Sequence, residues 1–391
     1  MNQWFFSNLV GFFDLGLGGV YLALISLIYT LLVSYIYIQS NNNESSWSII
    51  LLLISCFMSI ICFLSNNLVI FWLSYELSIL PLLALIFLNS PYSERYLASW
   101  YLVGYLGLTS LPMLLIFFFI YLEMMNFNLV CLSGVNELYL VLLFLIFLTK
   151  VPYPPFHAWL PIVHAEASSL ISMALSGYIM KLGLIGIFRF CWFSQNYFIF
   201  FVFIFICFCF SLGFFVNALN ELDYKRWLAF LSLAHIQITG LGLLVCSTLN
   251  QNVIFLYSLG HGLSVLFLFY FFQVLSESGG TRNWLILCQF NNGFGFSIVF
   301  FLLGLLTASS FPVSLQFIVE VLLIEGVLKF NLLIIPFSIY LLFGGLLPLI
   351  FASFVIINNK YNTNVVSYNL LFFFMGFILL LLVFSGFIYL S

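Results

Sequence analysis

Long apolar runs separated by brief polar punctuation fill almost the whole chain. A helix crosses the hydrocarbon core of a bilayer with about 20 apolar residues. On that ruler the runs predict twelve crossings, at 16–38, 48–65, 67–88, 96–121, 138–165, 167–190, 198–219, 227–247, 252–274, 290–329, 333–357 and 368–389. The punctuation consists of turn-forming residues: Asn41-Asn42-Asn43-Glu44, Ser90-Pro91, Asn220, Ser278-Gly279-Gly280 and Asn358-Asn359-Lys360. No stretch has room for a soluble domain. The expectation is an all-α, polytopic transmembrane helical bundle, with residues 1–391 as one domain.

Two of these runs break the pattern. The run 138–165 carries Pro152, Pro154, Pro155 and Pro161, and the run 290–329 is too long for one crossing and carries Pro312. Proline lacks a backbone donor and clashes with the preceding turn, so both helices should be interrupted. At membrane depth, non-helical backbone is tolerated only inside protein or beside a cavity. Interrupted segments at comparable places in two halves of a chain point to a transport site. A plain proline kink is the competing reading.

Composition reinforces the membrane assignment. Hydrophobic residues make up 64% and charged residues 5% of the 391, and the mean hydropathy is +1.23. Soluble domains carry about 25% charged residues. The net charge of −3 comes without a basic stripe, which excludes nucleic acid as an expected partner. The eight cysteines lie mostly within apolar runs, and Cys207 and Cys209 belong to no CxxC pair, so they read as small core hydrophobes. No iron–sulfur or haem spacing, dinucleotide fingerprint or phosphate loop occurs. Cofactor and metal sites are therefore not expected in this chain. Met1 to Val20 contains no Lys or Arg, unlike a transit or signal peptide. The excess of Phe, Leu, Ile and Tyr fits T-rich codons and hence an organelle genome. With alternating crossings, Arg95, Lys225, Arg226, Arg282 and Lys360 share one side and Arg189 and Lys329 the other, which orients the first side to the matrix or cytoplasm.

Against this background six ionisable residues stand out at mid-membrane: Glu76, Lys150, Lys181, His235, His261 and Glu320. A charge at the bilayer centre costs about 2.5–3.5 kcal/mol on insertion scales. Such groups must therefore face each other or water, either as static ion pairs that fix packing or as a functional path. Their types suit proton movement. Desolvation weakens the hold of a lysine on its proton and a nearby carboxylate strengthens it, while histidine can accept on one ring nitrogen and donate from the other. Glu76 is the natural partner for Lys150.

The same residues carry a resemblance. Phe71-Trp72-Leu73-Ser74-Tyr75-Glu76-Leu77-Ser78-Ile79-Leu80-Pro81, the block Thr149-Lys150-Val151-Pro152-Tyr153-Pro154-Pro155-Phe156-His157-Ala158-Trp159-Leu160-Pro161 with His164-Ala165-Glu166-Ala167, and Met180-Lys181-Leu182-Gly183 are similar to motifs of the antiporter-like membrane subunits of respiratory NADH–quinone oxidoreductase (complex I) and of multisubunit cation/proton antiporters. Leu222-Asp223-Tyr224-Lys225-Arg226 leading to Ser232 and His235, Leu259-Gly260-His261-Gly262-Leu263, and Pro312 to Glu320 resemble further motifs of that family. The chain departs from the pattern in three ways: the spacing of its motifs leads one to expect that the family's first two helices are missing, it has Val319 where a glycine usually precedes the last charge, and it has Ile162-Val163 in place of a polar residue.

The resemblance implies an antiporter-like fold with two discontinuous helices in inverted repeats. It implies a proton path through Glu76, Lys150, Lys181, His235, His261 and Glu320, with Lys150 as the switch gated by Glu76. The path would be coupled to quinone reduction elsewhere in the complex. FMN, iron–sulfur clusters, NADH and ubiquinone would reside in partner subunits. Other membrane-arm subunits on both flanks, accessory subunits and membrane lipids such as cardiolipin would be the neighbours, in the mitochondrial inner membrane. His157 and His164 are expected in a loop that caps the break, and Glu166, Asp223, Lys225 and Arg226 as solvated anchors or subunit contacts. A sodium/proton antiporter subunit of the same fold and a non-pumping membrane scaffold are the competing functions. Co-purification with flavin and iron–sulfur proteins separates the first, and an unaffected Lys150→Ala variant would mark the second.

Overall fold

The computed structural model describes residues 16–39, 46–125, 135–191, 198–245, 251–290 and 295–357, together with Gly376 and Val383. These residues divide into two compact units, one up to Ile204 and one from Phe205. Among the described residues nine helices are long and apolar enough to span a membrane. They coincide with nine of the predicted runs. The runs 138–165 and 290–329 are the two interrupted ones, as the prolines required. The run 368–389 lies outside the described residues, apart from Gly376 and Val383.

The first unit contains α1 (Leu17–Gln39), α2 (Ser46–Leu64), α3 (Leu68–Asn89) and α4 (Arg95–Met124). Polar caps set the helix starts. Asn67 accepts from the Val69 amide at 3.0 Å, and Asn136 does the same for Leu138 at 3.1 Å, satisfying amides that have no partner within the helix. The α2 carboxyl end is sealed from another helix: the Arg189 guanidinium donates to the carbonyls of Phe63 at 2.6 Å, Ser65 at 2.5 Å and Cys62 at 3.3 Å. Large apolar side chains such as Trp100 and Leu111 point outward, as lipid-facing positions do. Pro81 and Pro112 sit inside helices without ending them. The carbonyl of Ser78 on α3 takes a hydrogen bond from Ser55 Oγ of α2 at 2.5 Å.

Helix α5 (Glu137–Lys150) stops at the proline cluster, and α6 (Trp159–Glu166) follows the break. The indole of Trp159 closes the gap by donating to the Thr149 carbonyl at 3.0 Å. Helix α7 (Ser169–Ala174) then runs through a π-helical turn, Leu175–Ile179, into α8 (Met180–Cys191). Glycines let α8 lie directly on the end of α5. A Cβ placed on Gly183 would come within 2.9 Å of the Lys150 Cβ and 3.0 Å of the Val151 nitrogen, and one on Gly186 within 2.4 Å of the Phe147 ring. Small residues permit such backbone approach between membrane helices.

Helix α9 (Phe198–Asn220) begins in the first unit, and its residues from Phe205 onward belong to the second. The second unit continues with α10 (Tyr224–Val245), α11 (Gln251–Gly279), α12 (Trp284–Phe290), α13 (Gly295–Ala308), α14 (Leu315–Val327) and α15 (Asn331–Ile357). The α9–α10 and α11–α12 turns pair through an isolated bridge between Asp223 and Asn283. Arg282 lies 3.5 Å from Asp223 across it. Lys225, Arg226 and Arg282 therefore share one end of this unit, as the charge pattern predicted.

The interruption between α13 and α14 is turn-like. Ser310 and Val313 adopt positive φ, 53° and 84°, a region strained for a β-branched residue such as Val313. Ser314 caps α14 by accepting from the Phe317 amide at 3.3 Å.

Candidate functional site

In the first unit, Lys150 is the last residue of α5, at the helix end where carbonyls lack amide partners. The partial negative charge there favours a cation. Its ammonium lies 5.6 Å from the centre of the Tyr75 ring, within the range of a cation–π contact. Tyr75 precedes Glu76 on α3, and the Glu76 carboxyl and the Lys150 ammonium act on each other electrostatically. They do not form a hydrogen-bonded pair, and Glu76 Oε1 has no protein partner. Glu76 is half-buried, whereas Lys150 is 4% and Lys181 0% exposed.

The π-helical turn positions Lys181. A π turn shifts the i→i−4 ladder by one residue and leaves a backbone carbonyl available. The Lys181 ammonium binds the carbonyl of Ser176 inside that turn. Tyr178, in the same turn, meets Ser55 Oγ at 2.8 Å, and that hydroxyl in turn bonds the Ser78 carbonyl on α3. A polar thread thus joins the Glu76 helix to the Lys181 segment. Lys150 and Lys181 are brought onto touching helices by Gly183.

The second unit gathers the other three residues. The rings of His235 (α10) and His261 (α11) are 5.9 Å apart and are 2% and 1% exposed. His235 Nδ1 is 2.5 Å from the Tyr340 hydroxyl of α15 and 3.3 Å from the Tyr257 hydroxyl of α11. The two hydroxyls are 3.4 Å apart. Glu320, 5% exposed, stands in the second turn of α14 and accepts from Ser310 Oγ at 2.8 Å. A cavity of about 210 Å³ opens beside it, bordered by Ser309, Ser310, Tyr340, Gly344 and Gly345.

Each interrupted helix therefore offers its charge a matching environment. Lys150 occupies a carboxyl-terminal helix end, and Glu320 lies toward an amino-terminal one with a hydroxyl donor from the break itself. The dipole effect fades beyond the first turn, so Ser310 matters more to Glu320 than the helix does.

Several residues escaped sequence reasoning. Tyr75, Tyr257 and Tyr340 are three of 21 tyrosines, and no local spacing separates them from the rest. Gln237 and Gln316 are completely buried, and neither amide group bonds to protein. A polar residue inside an apolar run was the available signal for both. Two expectations need correction. His164 is not in a loop but on α6, fully buried, while His157 stays in the turn. Glu166 and Lys225 are buried rather than solvated. Glu166 has a local task there, because its Oε2 accepts from the Glu94 amide at 3.2 Å at the start of α4.

A bundle of membrane-spanning helices with two breaks, each flanked by a buried ionisable residue, has the architecture of an antiporter-like transport subunit. The sequence profile described as NADH:quinone oxidoreductase/Mrp antiporter, transmembrane, matches residues 65–347. The chain belongs to this family. It is 31% identical over 336 residues to NADH-ubiquinone oxidoreductase chain 4 of Apis mellifera ligustica, covering 82% of this chain and 73% of that one. Its fold is similar to a chain of respiratory complex I from Thermus thermophilus with bound NADH, with TM-score 0.77, 19% identity, and 94% and 80% of the two chains covered. A chain of the Mrp complex from Dietzia sp. DQ12-45-1b is similar too, with TM-score 0.76, 17% identity, and 91% and 68% covered.

Proposed function

We propose that this chain is a proton-translocating membrane-arm subunit of an NADH:ubiquinone oxidoreductase, in the mitochondrial inner membrane. One observation carries the reading. Lys150, Lys181, His235, His261 and Glu320 are withdrawn from the apolar surface, and the two at helix breaks sit where backbone or hydroxyl dipoles match their charge. Static ion pairs are the competing explanation, and buried pairs add little stability on balance. Glu76 and Lys150 are within electrostatic reach without being locked together, as a switch requires.

In this reading a proton is held by Lys150 while the Glu76 carboxylate stays close. Loss or displacement of that negative charge releases the proton toward Lys181, whose ammonium is anchored by the π-turn carbonyl. His235 and His261 pass it between ring nitrogens, and Glu320 receives it beside the cavity. NADH, FMN, iron–sulfur clusters and ubiquinone belong to partner subunits, which supply the energy as a conformational or electrostatic change at Glu76. Subunits flank this one on both sides.

The test is Lys150→Ala in the assembled complex, reconstituted in liposomes. The expected result is normal assembly and normal NADH oxidation by an artificial electron acceptor, with proton pumping lost or severely reduced. Pumping at the wild-type ratio would leave only a scaffold role. Purification without flavin and iron–sulfur partners would favour a sodium/proton antiporter.

A further inference from the structure

We propose that the hydroxyl groups of Tyr257 and Tyr340 carry the proton between His235 and Glu320. This rests on the reading of the chain as a proton-translocating subunit and adds two residues to its path.

The two tyrosines form a closed set of contacts with the histidine. Tyr340 Oη lies 2.5 Å from His235 Nδ1, Tyr257 Oη lies 3.3 Å from the same nitrogen, and the two oxygens are 3.4 Å apart. Tyr340 lines the same cavity of about 210 Å³ as the Glu320 carboxyl, which is held by Ser310. Both tyrosines are 1% exposed. Aromatic rings wall off the junction: Phe215 and Phe208 pack on Tyr340 at 5.4 and 5.6 Å between ring centres, and Phe215 also meets the His235 ring at 6.0 Å. An apolar wall of this kind leaves hydroxyls as the groups able to pass a proton on.

A phenol suits the task because it donates and accepts through one atom. The transfer is a balanced relay. His235 gives the proton on Nδ1 to the oxygen of Tyr340. Tyr340, reached from His235 directly or through Tyr257, gives its own hydroxyl proton to a water in the cavity, and that water gives one of its protons to a carboxylate oxygen of Glu320. Each phenol ends neutral, one proton has moved, and no electron changes hands. His235 can be reloaded through Nε2, which makes no protein hydrogen bond, on a ring that neighbours His261.

Two buried tyrosines could instead be there for packing alone. Phenylalanine distinguishes the cases, since it keeps the ring contacts and removes only the hydroxyl. The experiment uses the assembled complex in liposomes carrying Tyr257→Phe with Tyr340→Phe. NADH-driven proton uptake and coupled turnover are measured in H2O and D2O, with Lys150→Ala run in parallel. The relay predicts normal assembly, and coupled pumping slowed roughly tenfold or more, in line with the loss of a positioned proton-transfer group. The remaining rate should show an altered solvent isotope effect. Wild-type pumping and an unchanged isotope effect in the double variant, with pumping lost in Lys150→Ala, would overturn the relay and leave the broader reading standing. Wild-type pumping in both variants would bring down that reading itself. If the double variant does not assemble, Tyr340→Phe alone carries the test, because of the two hydroxyls it is the one on the cavity beside Glu320, and the same outcomes decide.

Discussion

The contact between α8 and the end of α5 leads to a sharp prediction at Gly183. A Cβ there would lie 2.6 Å from Val151 Cγ2, 2.9 Å from Lys150 Cβ and 3.0 Å from the Val151 nitrogen. Carbon atoms rest at about 3.5–4.0 Å. The Val151 methyl can rotate aside, but the Lys150 Cβ and the Val151 nitrogen are fixed to the backbone. The two helices must therefore separate by roughly half an ångström or more. Overpacking of this kind costs about 1–3 kcal/mol. Its functional effect should be larger, because the displaced residue is Lys150, and a misplacement of about 1 Å can cost on the order of a hundredfold in rate. Gly183→Ala in the assembled complex should lower the melting temperature of the membrane arm and slow NADH-driven pumping far more than it slows NADH oxidation by an artificial acceptor. Gly104→Ala is the control, since nothing lies within 4 Å of its added Cβ. It should be neutral or slightly stabilising, because alanine favours a helix over glycine by about 0.5–1 kcal/mol. If Gly183→Ala matched Gly104→Ala in both stability and pumping, the close seating of α8 on Lys150 would be refuted.

Further outcomes follow from the neighbouring contacts. Tyr75→Leu removes the ring beside the Lys150 ammonium, a contact worth about 0.5–2 kcal/mol, and should slow coupled turnover. Tyr75→Phe should behave as the wild type, since the Tyr75 hydroxyl makes no protein hydrogen bond, and equal loss in both variants would argue against the ring contact. Arg189→Met strips the guanidinium from three carbonyls at the end of α2, of which that of Cys62 keeps the Ser65 hydroxyl as a donor. Unsatisfied buried carbonyls cost about 1–3 kcal/mol each, so the yield of assembled complex on native gels should fall steeply, whereas an unchanged yield would show that other groups cap α2.

How much of this could be read beforehand depended on the kind of signal. Span positions were legible because length and apolarity alone decide whether a helix can cross. The two breaks were legible because Pro152, Pro154 and Pro155 cluster, and because Pro312 lies in an overlong run. Proline by itself is a weaker sign. Pro81, Pro112, Pro336 and Pro348 all lie inside helices without ending them. The π turn at Leu175–Ile179 had no sequence mark, since its residues continue an ordinary apolar run. Five of the six ionisable residues were found buried, as the cost of charge in lipid demanded, and Glu76 was found half-buried. The bridging tyrosines were not legible. Their positions depend on α11 and α15 meeting around His235, a tertiary fact, and tyrosine is common throughout the chain. Burial of Glu166 and Lys225 was missed for a similar reason: their location near helix ends suggested water, but neighbouring segments fold over them.

The most direct measurement is proton release by reconstituted complex carrying Glu76→Gln together with Lys150→Met, followed with a pH-sensitive dye while NADH is oxidised. Neutralising both ends of the electrostatic switch should collapse the gradient attributable to this subunit while the complex stays assembled. A gradient of wild-type size and rate would contradict the claim that these buried groups move the protons.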